Sequence, residues 1–287
     1  MAFVLDSISA ASVMVLVVLG MSIVVSMMGV FNLAHGQFVL LGAVGYLVLN
    51  EHGISGAPAI VLVVLVAAAL GAVVEAVILR RLYRDPISTV LATFGIGLIV
   101  TGLVRQGIGS TARGLDAPVG GVLTLADHRV EVWRVWILGI AIVVVIAVFW
   151  LIEHTTPGLK IRATLYDHVL ARVNGVRTRY VFTLTFALGT ALAALAGSLI
   201  APLTSVFPEL GVSYLVLSFL AVMVGGAGTF LGPVIGAALL AIFNVALARY
   251  VSPTYATVLI VLGAVLFMRI RPYGLLGQPQ RVMSKEI

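Results

Sequence analysis

Residues 58–79 read PAIVLVVLVAAALGAVVEAVIL, an apolar stretch whose one charged side chain is Glu75. A helix of about 20 apolar residues is long enough to cross the hydrocarbon core of a bilayer, which is ~30 Å thick. The stretch is therefore predicted to be a transmembrane helix. Eight further apolar runs are candidate spans, and they cover residues 8–28, 37–50, 87–104, 135–152, 181–201, 213–227, 230–248 and 254–268.

The composition of the whole chain extends this interpretation. Of its 287 residues, 61% are hydrophobic and 10% are charged, whereas a soluble domain has about 45–50% apolar and about 25% charged residues. The excess of apolar side chains must face lipid, which excludes soluble, disordered and fibrous proteins. We predict an all-α, polytopic transmembrane helix bundle of about eight or nine spans in a single domain, residues 1–287. The runs at 37–50 and 213–227 are short, and either could be a half-helix or a re-entrant segment.

The net charge of +6 comes from basic residues that cluster between the apolar runs. This pattern indicates membrane topology rather than a nucleic-acid partner. Twelve of the 17 Lys and Arg residues lie in one set of alternating segments, and they are Arg80, Arg81, Arg84, Lys160, Arg162, Arg172, Arg177, Arg179, Arg269, Arg271, Arg281 and Lys285. The other set contains Arg105, Arg113, Arg129, Arg134 and Arg249. Because cytoplasmic loops carry the excess of Lys and Arg, the richer set is predicted to be cytoplasmic, with the N-terminus outside and the C-terminus inside.

Residues 29–37, GVFNLAHGQ, place an amide and an imidazole between two apolar runs. Asn32 and His35 are costly in lipid, so each is expected to face a cavity or a protein partner. Both are candidates for the substrate path, at the break of a helix. An ordinary polar turn at the membrane surface is the alternative.

Residues 225–236, GGAGTFLGPVIG, are rich in glycine. The glycines of this run are Gly225, Gly226, Gly228, Gly232 and Gly236. The last three are spaced by four and would line one helix face, where small residues allow helices to pack closely in membranes. Tight helix packing without substrate contact is the favoured interpretation.

The basic segment 153–180 is the longest cytoplasmic segment between predicted spans. A turn is expected at its Pro-Gly pair, after which a short helix is predicted to begin near Ile161. Asp167, Ala171 and Gly175 then follow at a spacing of four. Such a helix would present a small-residue face and a basic face. This favours docking of a cytoplasmic partner over a merely solvated loop.

Glu75 is the only acid well inside a predicted span, about one turn from its inner end. Arg80 and Arg81 follow closely in the chain. A snorkelling ion pair at the membrane interface is favoured over a proton relay, for which a single carboxylate is weak support.

Several kinds of site are missing from the sequence. The only lysines, Lys160 and Lys285, do not follow glycine, so there is no phosphate-cradling loop for a nucleotide. The chain has no cysteine, and its five histidines lack metal-ligand spacing. Metalloprotease and serine-hydrolase motifs are likewise missing. We therefore predict no catalytic residue, no metal site and no cofactor on this chain.

Five motifs occur in order along nearly the whole chain. They are Asn32-Leu33-Ala34-His35-Gly36, Ala92-Thr93-Phe94-Gly95, Arg162-Ala163 with Asp167, Ala171 and Gly175-Val176, Gly225-Gly226-Ala227-Gly228 with Gly232 and Gly236, and Pro272-Tyr273-Gly274-Leu275-Leu276-Gly277. Together they resemble the LivH-type permease subunit of bacterial ATP-driven importers for branched-chain amino acids. The chain departs from that family at Leu165-Tyr166, where Ala-Glu is frequent, and at Arg80-Arg81-Leu82, where Arg-Pro-Leu is frequent.

The resemblance implies a multi-pass protein of the bacterial inner membrane that forms half of a pore with a second homologous permease subunit. Two cytoplasmic ATPase subunits, which carry ATP and Mg, would dock on segment 153–180, and a substrate-binding protein would deliver the substrate. The residues implied in ATPase coupling are Arg162, Asp167, Ala171 and Gly175, and the nearby Arg172 is a further candidate because its positive charge could meet acidic groups of the ATPase.

The substrate class stays open between branched-chain or other hydrophobic amino acids and small molecules such as urea and short amides, which members of the same family serve. A stand-alone secondary transporter or channel is a weaker alternative, because only Glu75 could couple to an ion inside the membrane. A membrane enzyme is disfavoured by the lack of a catalytic cluster.

Overall fold

The computed structural model describes residues 2–29, 32–83, 85–125, 128–226, 228–229 and 231–277. Within these residues the chain forms eleven α-helices and one short β-hairpin. The helices are α1 Ala2–Met28, α2 His35–Glu51, α3 Gly56–Val77, α4 Pro86–Ile108, α5 Val132–His154, α6 Thr156–Tyr166, α7 His168–Val173, α8 Thr178–Ile200, α9 Leu210–Gly225, α10 Leu231–Leu247 and α11 Pro253–Ile270. A 3₁₀ turn, Leu79–Arg81, follows α3.

Each of the nine apolar runs contains a helix, as the hydropathy pattern predicts. Five helices, α1, α3, α4, α5 and α8, are long and apolar enough to cross a membrane. The helices α9 and α10 have 16 and 17 residues and are shorter than an average span. The predicted number of eight or nine spans therefore stays a prediction, as does the re-entrant character of α2 or α9.

The centre of the bundle is formed by α1 and α8, which are mostly buried, whereas α3, α4 and α5 keep most of their apolar side chains on the surface. Close backbone contacts make this centre dense. A Cβ added to Gly197 of α8 would lie 1.9 Å from the carbonyl oxygen of Val39 on α2. A Cβ added to Gly20 of α1 would lie 2.5 Å from the carbonyl oxygen of Gly189. The helices can approach this closely only because these positions lack side chains.

The loops meet at two ends of the bundle. At one end, Arg113 pairs with Glu51 and forms an isolated β-bridge with Val206, and Arg105 pairs with Glu209. We call this the hairpin end. At the other end lie the 3₁₀ turn after α3, the α9–α10 connection and the residues 156–177, which we call the elbow and which include α6 and α7.

The described basic residues of the richer set lie at the elbow end, as the alternation of loops predicts. Three residues of that set, Arg84, Arg281 and Lys285, lie outside the described residues.

The hairpin was not predicted from the sequence. Its strands, β1 Val122–Leu125 and β2 His128–Glu131, pair antiparallel, with Val122 opposite Glu131. Four-residue strands within a polar stretch leave too short a hydropathy pattern to be recognised. The all-α class is unaffected, since the hairpin only decorates one end of the helix bundle.

Candidate functional site

Asn32 and His35 lie at the start of α2, and both side chains are buried in protein. The Nε2–H of His35 donates to the carbonyl oxygen of Val17 on α1, at 2.9 Å. The Oδ1 of Asn32 accepts from the backbone N–H of Ala34, at 3.0 Å, and so stabilises the turn that leads into α2. The His35 contact holds α2 against α1. The role of both residues in a substrate path stays a prediction. Val30 and Phe31, in the same motif, lie outside the described residues.

The elbow differs from the single short helix that the spacing predicted to begin near Ile161. Helix α6 already begins at Thr156, because the Thr155 hydroxyl accepts from the N–H of Gly158 and Pro157 occupies the first turn. Asp167 then interrupts the helix with an extended backbone, φ −155° and ψ 106°. The expected turn at the Pro-Gly pair is therefore the first turn of α6.

Asp167 and Gly175 delimit α7 and do not share a helix face with Ala171. The Oδ1 of Asp167 accepts from the N–H groups of Val169 and Leu170, at 2.8 and 2.9 Å. These two hydrogen bonds, the one from Leu170 first, hold the pKa of the Asp167 carboxyl below its usual value. Gly175 has φ +81°, and the N–H of Val176 donates to the carbonyl oxygen of Ala171 at 3.0 Å, which ends the helix in a Schellman motif.

Of the other elbow residues implied in coupling, Ala171 is only 5% exposed, so it is covered by this chain itself. Arg162 forms an ion pair with Glu153 at the end of α5 and also donates to the Glu153 carbonyl oxygen at 3.1 Å. Arg172 is exposed, and no acid of the described residues pairs with it. Arg172 is therefore the one of the two arginines that is free to meet an acidic partner.

The elbow also presents apolar side chains to solvent, which the sequence reasoning missed. Tyr166 is 88% exposed and Val173 is 79% exposed, and Val169 and Leu170 lie between them on α7. The sequence did contain an indication of this surface, because these four apolar residues lie in a segment outside the predicted spans. Exposed apolar clusters of this kind mark interaction surfaces.

The glycine-rich run forms a tight corner rather than one glycine-lined helix face. Gly225 ends α9, and Gly228 lies in the connection with φ +98°, so only Gly232 and Gly236 belong to α10. The reason is that Gly226, the residue after α9, has φ +109°, a backbone conformation that cannot continue the helix into the rest of the glycine-rich run. Ala227 and Phe230 lie outside the described residues.

The two helices of this corner touch through their backbones. A Cβ added to Gly225 would lie 2.1 Å from the carbonyl oxygen of Gly232, and one added to Gly236 would lie 2.5 Å from that of Ala221. Residues after α11 cover the corner, since the N–H of Leu276 donates to the Gly225 carbonyl oxygen at 3.1 Å. The geometry is that of close helix packing.

The Glu75 side chain is completely buried, whereas that of Arg80 is 34% exposed. Its carboxylate accepts from the Arg80 guanidinium at 3.0 Å, from the Tyr83 hydroxyl at 2.9 Å and from the Thr183 hydroxyl at 2.6 Å. The pair with Arg80 is present as predicted. The added partner on α8 makes the cluster a polar link between the elbow-end halves of α3 and α8.

A cavity of about 500 Å³ lies at the hairpin end, between α1, α8, α9 and α10. Nine of its fourteen lining residues are apolar, and the polar ones are Ser9, Arg134, Thr204, Tyr214 and Asn244. Asn32 and His35 do not line this cavity. Within the described residues no group of three or more His, Asp or Glu could hold a metal ion.

Comparison with known proteins gives one family and a consistent set of relatives. The family described as branched-chain amino acid transport system / permease component matches residues 3–269. The branched-chain amino acid permease LivH of Escherichia coli is 25% identical over 293 residues, which cover 96% of this chain and 94% of LivH. BraD of Pseudomonas aeruginosa is 22% identical, over 96% and 95% of the two chains. The ribose import permease RbsC of Escherichia coli is 25% identical over 243 residues, or 81% of this chain and 74% of RbsC.

Proposed function

The chain belongs to the permease-component family of branched-chain amino acid transport systems, and on this premise we propose that it forms half of the pore of an ATP-driven importer. The observation that carries the proposal is the match over residues 3–269, which includes nearly the whole helix bundle. The chain contributes apolar helices and no phosphate-cradling loop, so ATP hydrolysis belongs to separate subunits. The other half of the pore is a second homologous permease subunit.

The elbow is the proposed docking site for the two ATPase subunits. It lies at the end of the bundle where the basic residues cluster. The excess of Lys and Arg in cytoplasmic loops assigns this end to the cytoplasmic side of the bacterial inner membrane. Its exposed Tyr166 and Val173 offer apolar anchors, and Arg172 offers a positive charge. Asp167 and Gly175 support this surface indirectly, because they define the two ends of α7. The hairpin end then faces the outside, where a binding protein delivers substrate.

Branched-chain or other hydrophobic amino acids are the proposed substrates. LivH and BraD are described as branched-chain amino acid permeases and align with almost the whole chain. The mostly apolar lining of the hairpin-end cavity also suits an apolar side chain better than a sugar. Ribose is the second candidate, because the ribose permease RbsC matches at the same 25% identity. Urea and short amides are further alternatives.

Reconstitution tests the proposal directly. The chain is placed in proteoliposomes with a second homologous permease, two ATPase subunits and a substrate-binding protein. Uptake of labelled leucine, ribose and urea is then measured with ATP and without it. We expect ATP-dependent uptake of leucine, and no binding of ATP by this chain alone. Uptake without the ATPases would identify a secondary transporter or channel, and ATP-dependent uptake of only ribose or urea would overturn the substrate assignment.

A further inference from the structure

A long groove runs along α8 at the elbow end of the bundle. It has a volume of about 820 Å³ and lies between α8, the end of α5, α6 and the connection from α7 to α8. Position 177, just before α8, and positions 181, 184 and 188 of α8 all line it, and at 1.5 Å per residue this wall is roughly 16 Å long. One leaflet contributes about half of the ~30 Å hydrocarbon core. The groove thus extends about as far as a lipid tail within one leaflet.

The chemistry of the groove changes along its length. The wall formed by Leu184, Leu188 and Leu151 is apolar, and Leu184 is 66% exposed, as expected of a side chain that meets lipid. The opposite end is lined by Lys160 and Arg177. The groove therefore has an apolar channel with a cationic mouth.

The positive charge at the mouth is not neutralised within the described part of the chain. Lys160 and Arg177 are exposed, and neither forms an ion pair with a described acid. Glu153, the acid at the end of α5, is occupied by Arg162. No acidic residue lines the groove. Its mouth thus complements an anion, and its channel complements a hydrocarbon chain.

We propose that the groove binds one anionic phospholipid of the inner leaflet. The phosphate lies between Lys160 and Arg177, and one acyl chain follows α8 past Leu184. Basic pockets between transmembrane helices on the cytoplasmic side bind anionic headgroups in this way. Tyr180, at the level between headgroup and tail, has the side chain that membrane interfaces favour. The inference rests on the proposed function only for the assignment of the elbow end to the cytoplasm.

A lipid fits this position better than an ATPase subunit. A cytoplasmic protein reaches the elbow from the aqueous side, where Tyr166 and Val173 are exposed. The apolar wall continues instead along α8, one of the helices that are apolar and long enough to cross the bilayer. Its occupant must therefore enter from the membrane.

Native mass spectrometry of the full-length chain tests the inference. The chain is purified in mild detergent and titrated with phosphatidylglycerol or phosphatidylcholine. The double variant Lys160→Gln/Arg177→Gln is compared with Arg269→Gln/Arg271→Gln, which removes two exposed charges at the same end of the bundle but outside the groove. We expect the first variant to bind phosphatidylglycerol roughly thirtyfold more weakly, or about 2 kcal/mol, with little change in the second. Phosphatidylcholine should bind weakly to every form.

The remaining arms separate a lipid from other occupants. Lys160→Arg/Arg177→Lys keeps both charges and should bind phosphatidylglycerol as the wild type does, which controls for misfolding of the glutamine variant. Glycerol phosphate, which lacks acyl chains, should not displace the lipid. Equal weakening in both glutamine variants, or displacement by glycerol phosphate, would reduce the effect to general charge attraction and overturn the proposal.

If the Lys160→Gln/Arg177→Gln variant instead lost a bound second copy of the chain and kept its lipid, the groove would be a contact between permeases and the lipid proposal would be wrong. Neither result depends on uptake, so the proposed function can fail independently.

Discussion

At the scale of single residues, the Glu75 cluster shows how a charge is accommodated within an apolar helix. A buried carboxylate is tolerated when a cation and further hydrogen-bond donors satisfy its oxygens. Arg80 provides the charge, and Tyr83 and Thr183 provide hydroxyl donors. The Arg80 side chain is 34% exposed, whereas the Glu75 side chain is not exposed at all. Removing Arg80 would therefore leave an unpaired charge buried in protein, whereas removing Glu75 would leave a charge that water can reach.

We predict that Arg80→Met lowers the free energy of unfolding by about 3 kcal/mol, because breaking a buried ion pair leaves one charge uncompensated. Arg81→Met is the matched control, since Arg81 is exposed and should change stability by less than about 0.5 kcal/mol. Thermal unfolding of the purified chain in detergent measures both. Similar melting temperatures for the two variants would show that the cluster contributes little.

A second residue-scale prediction concerns the cap of α7. Asp167→Ala should speed amide hydrogen exchange at Val169 and Leu170, because their N–H groups lose their acceptor. Asp167→Asn should exchange nearly as slowly as the wild type, since Asn is an equally good cap.

The effect of pH on this cap follows from the direction of the pKa shift. The folded-state pKa of Asp167 is lower than its unfolded value, so the carboxylate contributes its full stabilisation above the unfolded pKa of about 4. That stabilisation is lost only as the pH falls through the lowered value. Exchange of the wild type, corrected for its intrinsic pH dependence, should therefore be constant between about pH 5 and about pH 8. A transition near neutral pH would contradict this assignment.

Local sequence was enough to predict part of the Glu75 cluster. Arg80 is only five positions away, so the pair could be expected from its closeness in the sequence. Thr183 is 108 positions away, and no pattern in the sequence connects it to Glu75. The same limit applies to His35, whose cost in lipid was recognised but whose partner, the Val17 carbonyl oxygen, belongs to another helix.

At the scale of secondary-structure elements, the α9–α10 corner depends on the absence of side chains. The backbones of Gly225 and Gly232 are so close that no methyl group fits between them. The residues after α11 add hydrogen bonds to the Val224 and Gly225 carbonyl oxygens. The corner is therefore both tightly packed and covered.

Gly225→Ala should destabilise the chain by about 1–3 kcal/mol, because the new methyl group meets backbone atoms that cannot rotate away. Gly263→Ala on α11 is the control, since its Cβ would meet no atom within 4 Å. There, alanine should be neutral or stabilising by up to about 1 kcal/mol. In thermal unfolding, the melting temperature of Gly225→Ala should fall, whereas that of Gly263→Ala should stay the same or rise. A Gly225→Ala chain as stable as the wild type would show that the corner can relax.

The sequence predicted the long elements better than their ends. Each apolar run located a helix, including the five that are long and apolar enough to cross a membrane, because hydropathy is summed over many residues. The boundaries within the elbow depended instead on single capping residues. The motif at Asp167, Ala171 and Gly175 looked like one helical face, whereas the Asp167 side chain begins α7 and the left-handed backbone of Gly175 ends it.

At the scale of the whole molecule, two exposed tyrosines mark opposite ends of the bundle. Tyr166 on the elbow is 88% exposed and Tyr250 after α10 is 89% exposed. In the proposed transporter only Tyr166 is on the side that meets the ATPases. The two positions are therefore a matched pair for testing where the partners dock. The docking surface depends on how the folded chain exposes its side chains, so hydropathy alone could not predict it.

Tyr166→Asp should weaken association with the ATPase subunits roughly tenfold or more, because buried aromatic side chains dominate the affinity of protein interfaces. Tyr250→Asp makes the same chemical change at the hairpin end and should leave association unchanged. Co-purification of the complex from membranes, quantified against wild type, measures the difference. Equal recovery of the ATPases with both variants would exclude Tyr166 from the interface.

The buried Glu75 also bears on how the chain enters the bilayer during its synthesis. Arg80 and Tyr83 follow Glu75 by five and eight positions, whereas Thr183 follows by 108. At about 5–20 residues per second, translation delivers Thr183 about 5–20 s after Glu75 and the two nearer partners within about two seconds. The carboxylate therefore reaches the translocon with its counter-ion already close at hand. Helix α8 arrives later, and the Thr183 hydroxyl adds a hydrogen bond to a carboxylate whose charge was balanced before α4 to α11 were made.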